Sequence, residues 1–284
     1  MFDHYLMTRF NLKNPLAEPA SNSNELSTDA WSDQQMWVFE NCCFKSIAAQ
    51  SNMNFIWLLY FDSATAAVYK ERIKKLIADA PNIEAFYIHG MPALCPATQK
   101  YIEDRSRKIP YLITTRIDYN SILHKDFIHE VQKKFKSQSY RLLNFTKGYV
   151  LQLSPVVMLG KKEFVLSPFA SLIEKNTNPK TIWSNEPLVW KKERRITALI
   201  NKRLWISVID KPELESVFDG YDDVKWESLQ DGFIVSKKAA ERIQEHQLPY
   251  RQWRRLSLKN KIGIKYKVIS KTFKKALGIY QIKK

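Results

Sequence analysis

Apolar and polar positions follow two different periods along the first half of the chain. Tyr5–Leu12, Phe55–Phe61, Ile83–His89 and Tyr111–Ile117 are short runs rich in aromatic and β-branched residues, and they predict buried strands. Helix-period segments lie between them. These are Asp33–Gln50, Thr65–Ala80 closed by Pro81, and the charged stretch Thr98–Lys108. After Tyr111–Ile117 the pattern turns helical again, with Ile122, Leu123, Phe127, Ile128 and Val131 on one side. Residues 13–35 are rich in Asn, Ser, Pro and Asp and predict a loop after the first strand. Alternating strands and helices predict an α/β fold, a mostly parallel sheet flanked by helices on both faces.

Beyond Lys134 the pattern changes. Arg141–Phe145, Gly148–Leu153 and Glu163–Leu166 predict shorter strands of mixed direction, and Leu204–Asp210 one more. Lys191–Asn201, Trp226–Leu229 and Ala239–His246 read as helical pieces. The expected organisation is two halves of one domain, residues 1–135 and 136–249, followed by a tail over 250–284.

Composition narrows the function. The 284 residues are 45% hydrophobic, with eight Trp and fifteen Phe, which supplies a core and excludes a disordered chain. Neither a Gly-x-Gly-x-x-Gly fingerprint nor a Gly-Lys-Ser/Thr phosphate loop is present, against dinucleotide and P-loop enzymes. Cys42, Cys43 and Cys95 suit neither a disulfide framework nor zinc and read as small buried apolar residues. The five His form no close ligand motif. With no leader-like run and no span of about 18 apolar residues, the expected location is the reducing cytoplasm.

Two strand-like runs end on an acidic residue, Phe55–Asp62 and Tyr111-Leu-Ile-Thr-Thr-Arg-Ile-Asp118. A carboxylate at the carboxyl end of a strand faces the crevice where open α/β sheets bind ligands. Taken with Thr8-Arg9-Phe10 and Cys43-Phe-Lys-Ser-Ile-Ala-Ala-Gln50-Ser-Asn52-Met-Asn54-Phe-Ile-Trp57, these segments resemble the bacterial family of "putative rhamnosyltransferases", a branch of the GT-A glycosyltransferases. Weaker matches follow at Asn144–Tyr149 and Ser167–Glu174. The resemblance implies a GT-A-like sheet, a nucleoside diphosphate sugar as donor, and a surface-glycan or lipid-linked saccharide as acceptor. The chain departs from the family after Asp118, where Tyr119-Asn120-Ser121 replaces a carboxylate-rich run.

Glycosyl transfer requires the base and ribose to be held, the leaving diphosphate neutralised and an acceptor hydroxyl positioned. The resemblance places Thr8, Arg9, Asp62, Arg116, Asp118 and Asn120 around the nucleotide sugar. Arg9 also reads as a solvent-side charge, and Asp62 as a helix cap. Arg116, preceding Asp118, is expected on the opposite side of the strand. A divalent ion, Mn or Mg, would take Asp118 and the weaker amide oxygen of Asn120. Asp210 stands in for a carboxyl-half ligand, or is a turn residue before Lys211-Pro212. The reduced ligand set leaves open low metal affinity or neutralisation by Lys and Arg. Glu174 and Glu186 are the candidate general bases.

Charge is uneven. Residues 250–284 hold twelve of the 45 Lys and Arg and no acid, leaving 33 basic against 29 acidic residues elsewhere. The tail interleaves these cations with Trp253, Leu258, Ile262, Ile264, Tyr266, Ile269 and Phe273. That pattern suits an anionic membrane surface, placing the chain peripherally at the inner membrane face. Burial of Trp253, Ile264 and Phe273 would instead make the tail part of the core. Nucleic-acid binding is the disfavoured partner reading, and a non-catalytic relative of the family is the other rival.

Overall fold

The computed structural model describes residues 1–12, 28–184, 190, 193, 195–209 and 217–276. Its strands are β1 (Asp3–Arg9), β2 (Ile56–Asp62), β3 (Ile83–Ile88), β4 (Tyr111–Arg116), β5 (Ser121–Leu123), β6 (Tyr140–Phe145), β7 (Lys147–Gln152), β8 (Met158–Glu163), β9 (Ala170–Lys175), β10 (Ile196–Leu199) and β11 (Trp205–Ile209). Seven form a large sheet in the order β10-β6-β9-β4-β1-β2-β3, in which only β9 runs against its neighbours. The other four make a mixed sheet, β5-β11-β7-β8. The mostly parallel sheet flanked by helices is therefore present, and strands from both halves of the chain build it.

Its apolar runs are nearly continuous because both faces are covered. Tyr5, Met7, Leu58, Tyr60, Leu112 and Leu172 pack on one side, with Leu94 and Ile102 of the helix Leu94–Ser106. Leu6, Leu59, Ile113 and Ile173 pack on the other. The period of two along each strand sorts them. The second layer centres on one continuous helical stretch, Thr28–Val38, Phe39–Phe44 with wider π-type turns, and Lys45–Ala48. Met36, Phe39, Cys43 and Ile47 join the large-sheet core, whereas Val38 and Cys42 join that of the small sheet. This stretch is the wedge between the sheets. Cys42 and Cys43 are buried, as expected of small apolar residues, whereas Cys95 is only half-buried.

Four local expectations are corrected. Ile122 and Leu123 lie in β5, and the helix begins only at Phe127 (Phe127–Gln132). Ile122 faces the small-sheet core and Leu123 the large-sheet core, so an apolar pair bridging two layers mimicked one helical face. Ile196–Leu199 within the expected helix Lys191–Asn201 is the edge strand β10, paired with β6. The third expected strand after Lys134 lies earlier than Glu163–Leu166, as β8. Residues 28–35 of the expected loop are helical, and 13–27 lie outside the described residues.

Candidate functional site

β4, β1 and β2 are adjacent and parallel, so their carboxyl ends share one edge of the large sheet. Register aligns Met7 with Arg116 and Arg9 with Tyr60. Arg9 thus lies two positions beyond Met7, and Asp62 two positions beyond Tyr60. Period two puts Arg9, Asp62 and Arg116 on the sheet face lined by Tyr5, Met7, Leu58 and Tyr60.

Trp183 completes this edge. After β9 the chain turns back, and Ile182 N–H donates to Thr114 Oγ1 at 2.9 Å, holding the short 3-10 turn Ile182–Ser184 against β4. The Trp183 ring then lies between two cations. The Arg9 guanidinium carbon is 4.7 Å from its centroid and that of Arg116 is 4.1 Å. Each stack is attractive through the ring quadrupole, by about 0.5–2 kcal/mol. The indole is 8% exposed, and its N–H has no hydrogen-bond partner among the described residues. Arg116 is buried and Asp118 half-buried, with Nη2 and Oδ1 3.7 Å apart. Arg116 and Asp118 were expected on opposite sides. They are two positions apart, and two positions restore the same side.

The loop from Asp118 to Ser121 carries the chain from the large sheet to the small one. Ser121 N–H donates to the Asp118 carbonyl at 3.1 Å, and the Cys43 thiol approaches the same oxygen at 3.9 Å. Burial pushes the Cys43 thiol well above its usual range. Asn120 is tied to β11 twice. Its amide donates to the Val208 carbonyl at 2.9 Å, and its own carbonyl accepts Val208 N–H at 2.8 Å. It works as a staple between the sheets. Among the described residues no three His, Cys, Asp or Glu side chains gather as a metal site. Asp118 is the one carboxylate of this loop, and a guanidinium is beside it. The described donors do not fit a divalent ion. Asp210 lies outside the described residues.

Other expected site residues fall elsewhere. Thr8 is fully buried on the opposite face from Arg9, and its hydroxyl accepts the Trp57 indole N–H at 3.0 Å. Neighbours on a strand cannot both face one ligand. Asp62 is 6% exposed and accepts Ala64 N–H at 2.9 Å within a local turn; it is not the helix cap its position suggested, because the following helix Ala67–Ile77 begins after Ala66. Glu174, the candidate base, lies at the other end of the large sheet. β9 runs antiparallel, so Glu174 pairs with Leu112 at the start of β4, whereas Ala170 pairs with Arg116. Its carboxylate accepts Lys180 and Thr181 N–H at 2.9 and 2.8 Å and closes the turn after β9. Burial raises its pKa, and those two N–H groups partly offset the rise. Glu186 lies outside the described residues. Trp183 was not anticipated. Its signal was a large aromatic in the polar run Ser184-Asn185-Glu186-Pro187, where no core strand or helix calls for one.

A mostly parallel sheet with guanidinium and carboxylate groups gathered at its carboxyl edge defines an α/β protein. Residues 3–208 match the family described as "Putative rhamnosyl transferase", and the chain belongs to that family. Similar solved structures include S. aureus TarS 1-349, at 9% identity over 72% of this chain and 60% of that one, TM-score 0.42. TarS 1-349 in complex with UDP gives 11% identity over 74% and 61%, TM-score 0.43. A "putative nucleotide-diphospho-sugar transferase" from Desulfovibrio desulfuricans G20 gives 12% identity over 88% of this chain and 100% of that one, TM-score 0.44. The chain thus spans about three fifths of the TarS structures it resembles. No curated protein matches it.

Proposed function

We propose that the chain is a GT-A-type glycosyltransferase that moves a sugar from a nucleoside diphosphate sugar to a surface-glycan or lipid-linked saccharide. The observation that carries this reading is the pair of guanidiniums, Arg9 and Arg116, flanking Trp183 at the carboxyl edge of β1 and β4. Breaking the glycosidic bond leaves negative charge on the departing diphosphate. Two fixed guanidiniums near a buried indole N–H would stabilise that charge without reorganising. Desolvation by the Trp ring strengthens their field.

In this reading the arginines do the neutralising that a divalent ion does in acid-rich relatives. Asp118, held toward Arg116, would orient a sugar hydroxyl. Glu186, three residues past Trp183, is the proposed general base for the acceptor hydroxyl. The acceptor is met at the inner face of the membrane.

The test is thermal unfolding against a panel of nucleoside diphosphates, with manganese or with chelator. A ligand at 100 times its Kd should raise stability by about 2.7 kcal/mol. One diphosphate should stabilise equally with chelator present, and Arg116→Ala should cut the shift to about 0.4 kcal/mol at the same ligand concentration. Stabilisation that appears only with manganese would sink the arginine mechanism. A second reading rests on Asn120 being spent on Val208: a relative that binds the donor without turning it over. Ligand-induced stabilisation with no transfer or donor hydrolysis would favour it.

A further inference from the structure

The carboxyl-terminal helix Tyr250–Ala276 has two working faces. One is bound to the protein. Trp253 is buried with Phe218 edge-on at 5.4 Å and Tyr250 at 5.1 Å. Ser257 and Ile264 are buried, and Asn260 donates to the Phe218 and Gly220 carbonyls at 3.1 and 3.0 Å. Lys261 pairs with Asp222 at 2.7 Å. The expectation for the tail is thus divided, since Trp253 and Ile264 are in the core and Phe273 is not.

The opposite face is open. Leu258, Ile262, Tyr266, Ile269 and Phe273 are each 59–73% exposed. At 3.6 residues per turn, their spacing of four, four, three and four keeps them within about 80° of arc, in a stripe about 22 Å long. The same arithmetic sets the stripe nearly opposite Trp253, Ser257 and Ile264. Arg251 and Arg255 continue it toward the helix start, and Lys259 and Lys265 border it. The helix carries ten Lys and Arg and no acid.

We infer that this outward face is a docking surface for an anionic lipid bilayer. The charge favours an anionic partner and opposes a second copy, which would bring ten more cations against the same stripe. A continuous, largely aliphatic stripe matches the acyl boundary beneath lipid headgroups, while bordering Lys and Arg meet the phosphates. Single-stranded nucleic acid would call for stacking rings, and the stripe holds only two, Tyr266 and Phe273. No described helix is long and apolar enough to cross a membrane, so this one would lie in the interface plane. The bonds of Trp253, Asn260 and Lys261 would then fix how the body sits on the surface. This inference stands apart from the donor chemistry proposed above.

The experiment is co-sedimentation of the full chain with vesicles of phosphatidylcholine, with and without phosphatidylglycerol. The parent should bind the anionic vesicles at least about 10-fold more tightly than neutral ones, through its cations. The triple variant Ile262→Ser, Ile269→Ser, Phe273→Ser keeps every charge and alters only exposed positions. It should lose about 10-fold or more, since the apolar insertion is gone. A Tyr266→Trp variant should shift its emission to the blue with anionic vesicles alone, which reads insertion without relying on the triple variant. Vesicle binding unchanged in the triple variant, with no blue shift, would overturn the proposal. So would a parent that dimerises through the stripe, or one that binds an oligonucleotide but not vesicles. No arm reads turnover, so failure here leaves the donor site untouched.

Discussion

The two ends of the large sheet both bury polar groups, and they differ in the chemistry those groups present. At the amino end, Ser106 Oγ bonds Asp3 at 2.5 Å and also contacts the Tyr5 hydroxyl. His4 bonds Thr115 Oγ1 at 2.8 Å and Gln132 at 3.2 Å. Asn176 donates to the Ser106 and Ile109 carbonyls, and Glu174 closes its own turn. That network answers its own donors and acceptors and works as a lock. At the carboxyl end, two guanidiniums meet one indole, with Asp118 3.7 Å from Arg116 and Asp62 on the same sheet face. A buried polar residue marks a site when its capacity exceeds what the fold consumes, so burial alone does not separate site from scaffold.

The largest effect should come from the open end. Arg116→Ala is expected to weaken nucleoside diphosphate affinity about 100-fold, roughly 3 kcal/mol, as for truncation of a buried charge partner. Arg9→Ala, on a less buried side chain, should cost about 10-fold. Arg116→Lys should recover little, because an ammonium neither stacks flat on Trp183 nor forks onto two phosphate oxygens. Calorimetric titration measures all three. Full affinity in Arg116→Ala would reduce the open end to another lock.

The closed end should show itself in pH. Burial depresses the His4 pKa from 6.5 to about 3. The folded state therefore keeps the neutral ring while the unfolded chain takes a proton. His4's contribution is complete above pH 6.5 and is lost as pH falls toward 3. The expected loss is up to about 3 kcal/mol between pH 6.5 and 4.5. His4→Gln should flatten this part of the unfolding curve. An unchanged acid slope in that variant would put the sensitivity elsewhere.

The strands were legible where both faces are buried, since β2 is an unbroken apolar run ending on Asp62 and β4 is a buried β-branched and aromatic run ending close to Asp118. It failed where tertiary pairing decides. β10 is a four-residue edge strand, largely unburied, and its Lys- and Arg-rich lead-in resembled a solvated helix. Arg9, Arg116 and Asp118 were legible as strand-end residues. The reversal of β9 was not, and that direction alone sends Glu174 to the wrong end. Trp183 was legible only as an aromatic beside a polar run; its place was not, because that depends on how the chain returns after β9.

Glu174 supplies the next comparison. Glu174→Ala should cost about 1–3 kcal/mol of stability, mainly by leaving the buried Thr181 N–H without an acceptor. Donor binding per folded molecule should be unchanged. Its folded pKa is raised, so its protonation favours folding below the ordinary value of 4.5, and that contribution is lost as pH rises through the folded pKa. This slope is opposite in sign to that of His4, and the variant should remove it. Urea unfolding from pH 4 to 7 checks both. A large loss of transfer in a stably folded Glu174→Ala protein would restore it as a base.

The smallest effect separates two neighbours on one strand. Thr8 and Arg9 are one residue apart, yet Thr8 accepts the Trp57 indole in the core and Arg9 stacks on Trp183 at the edge. Thr8→Val keeps the shape and leaves one buried indole N–H without its acceptor, which should cost about 1 kcal/mol in unfolding free energy. Nucleoside diphosphate affinity should stay within about twofold of the parent, because that change reaches the other face of the sheet. Denaturant unfolding and titration on the same preparation give both numbers. If Thr8→Val weakened the ligand as much as Arg9→Ala, the ligand would have to reach across the strand, and the division of the two faces into core and site would fail.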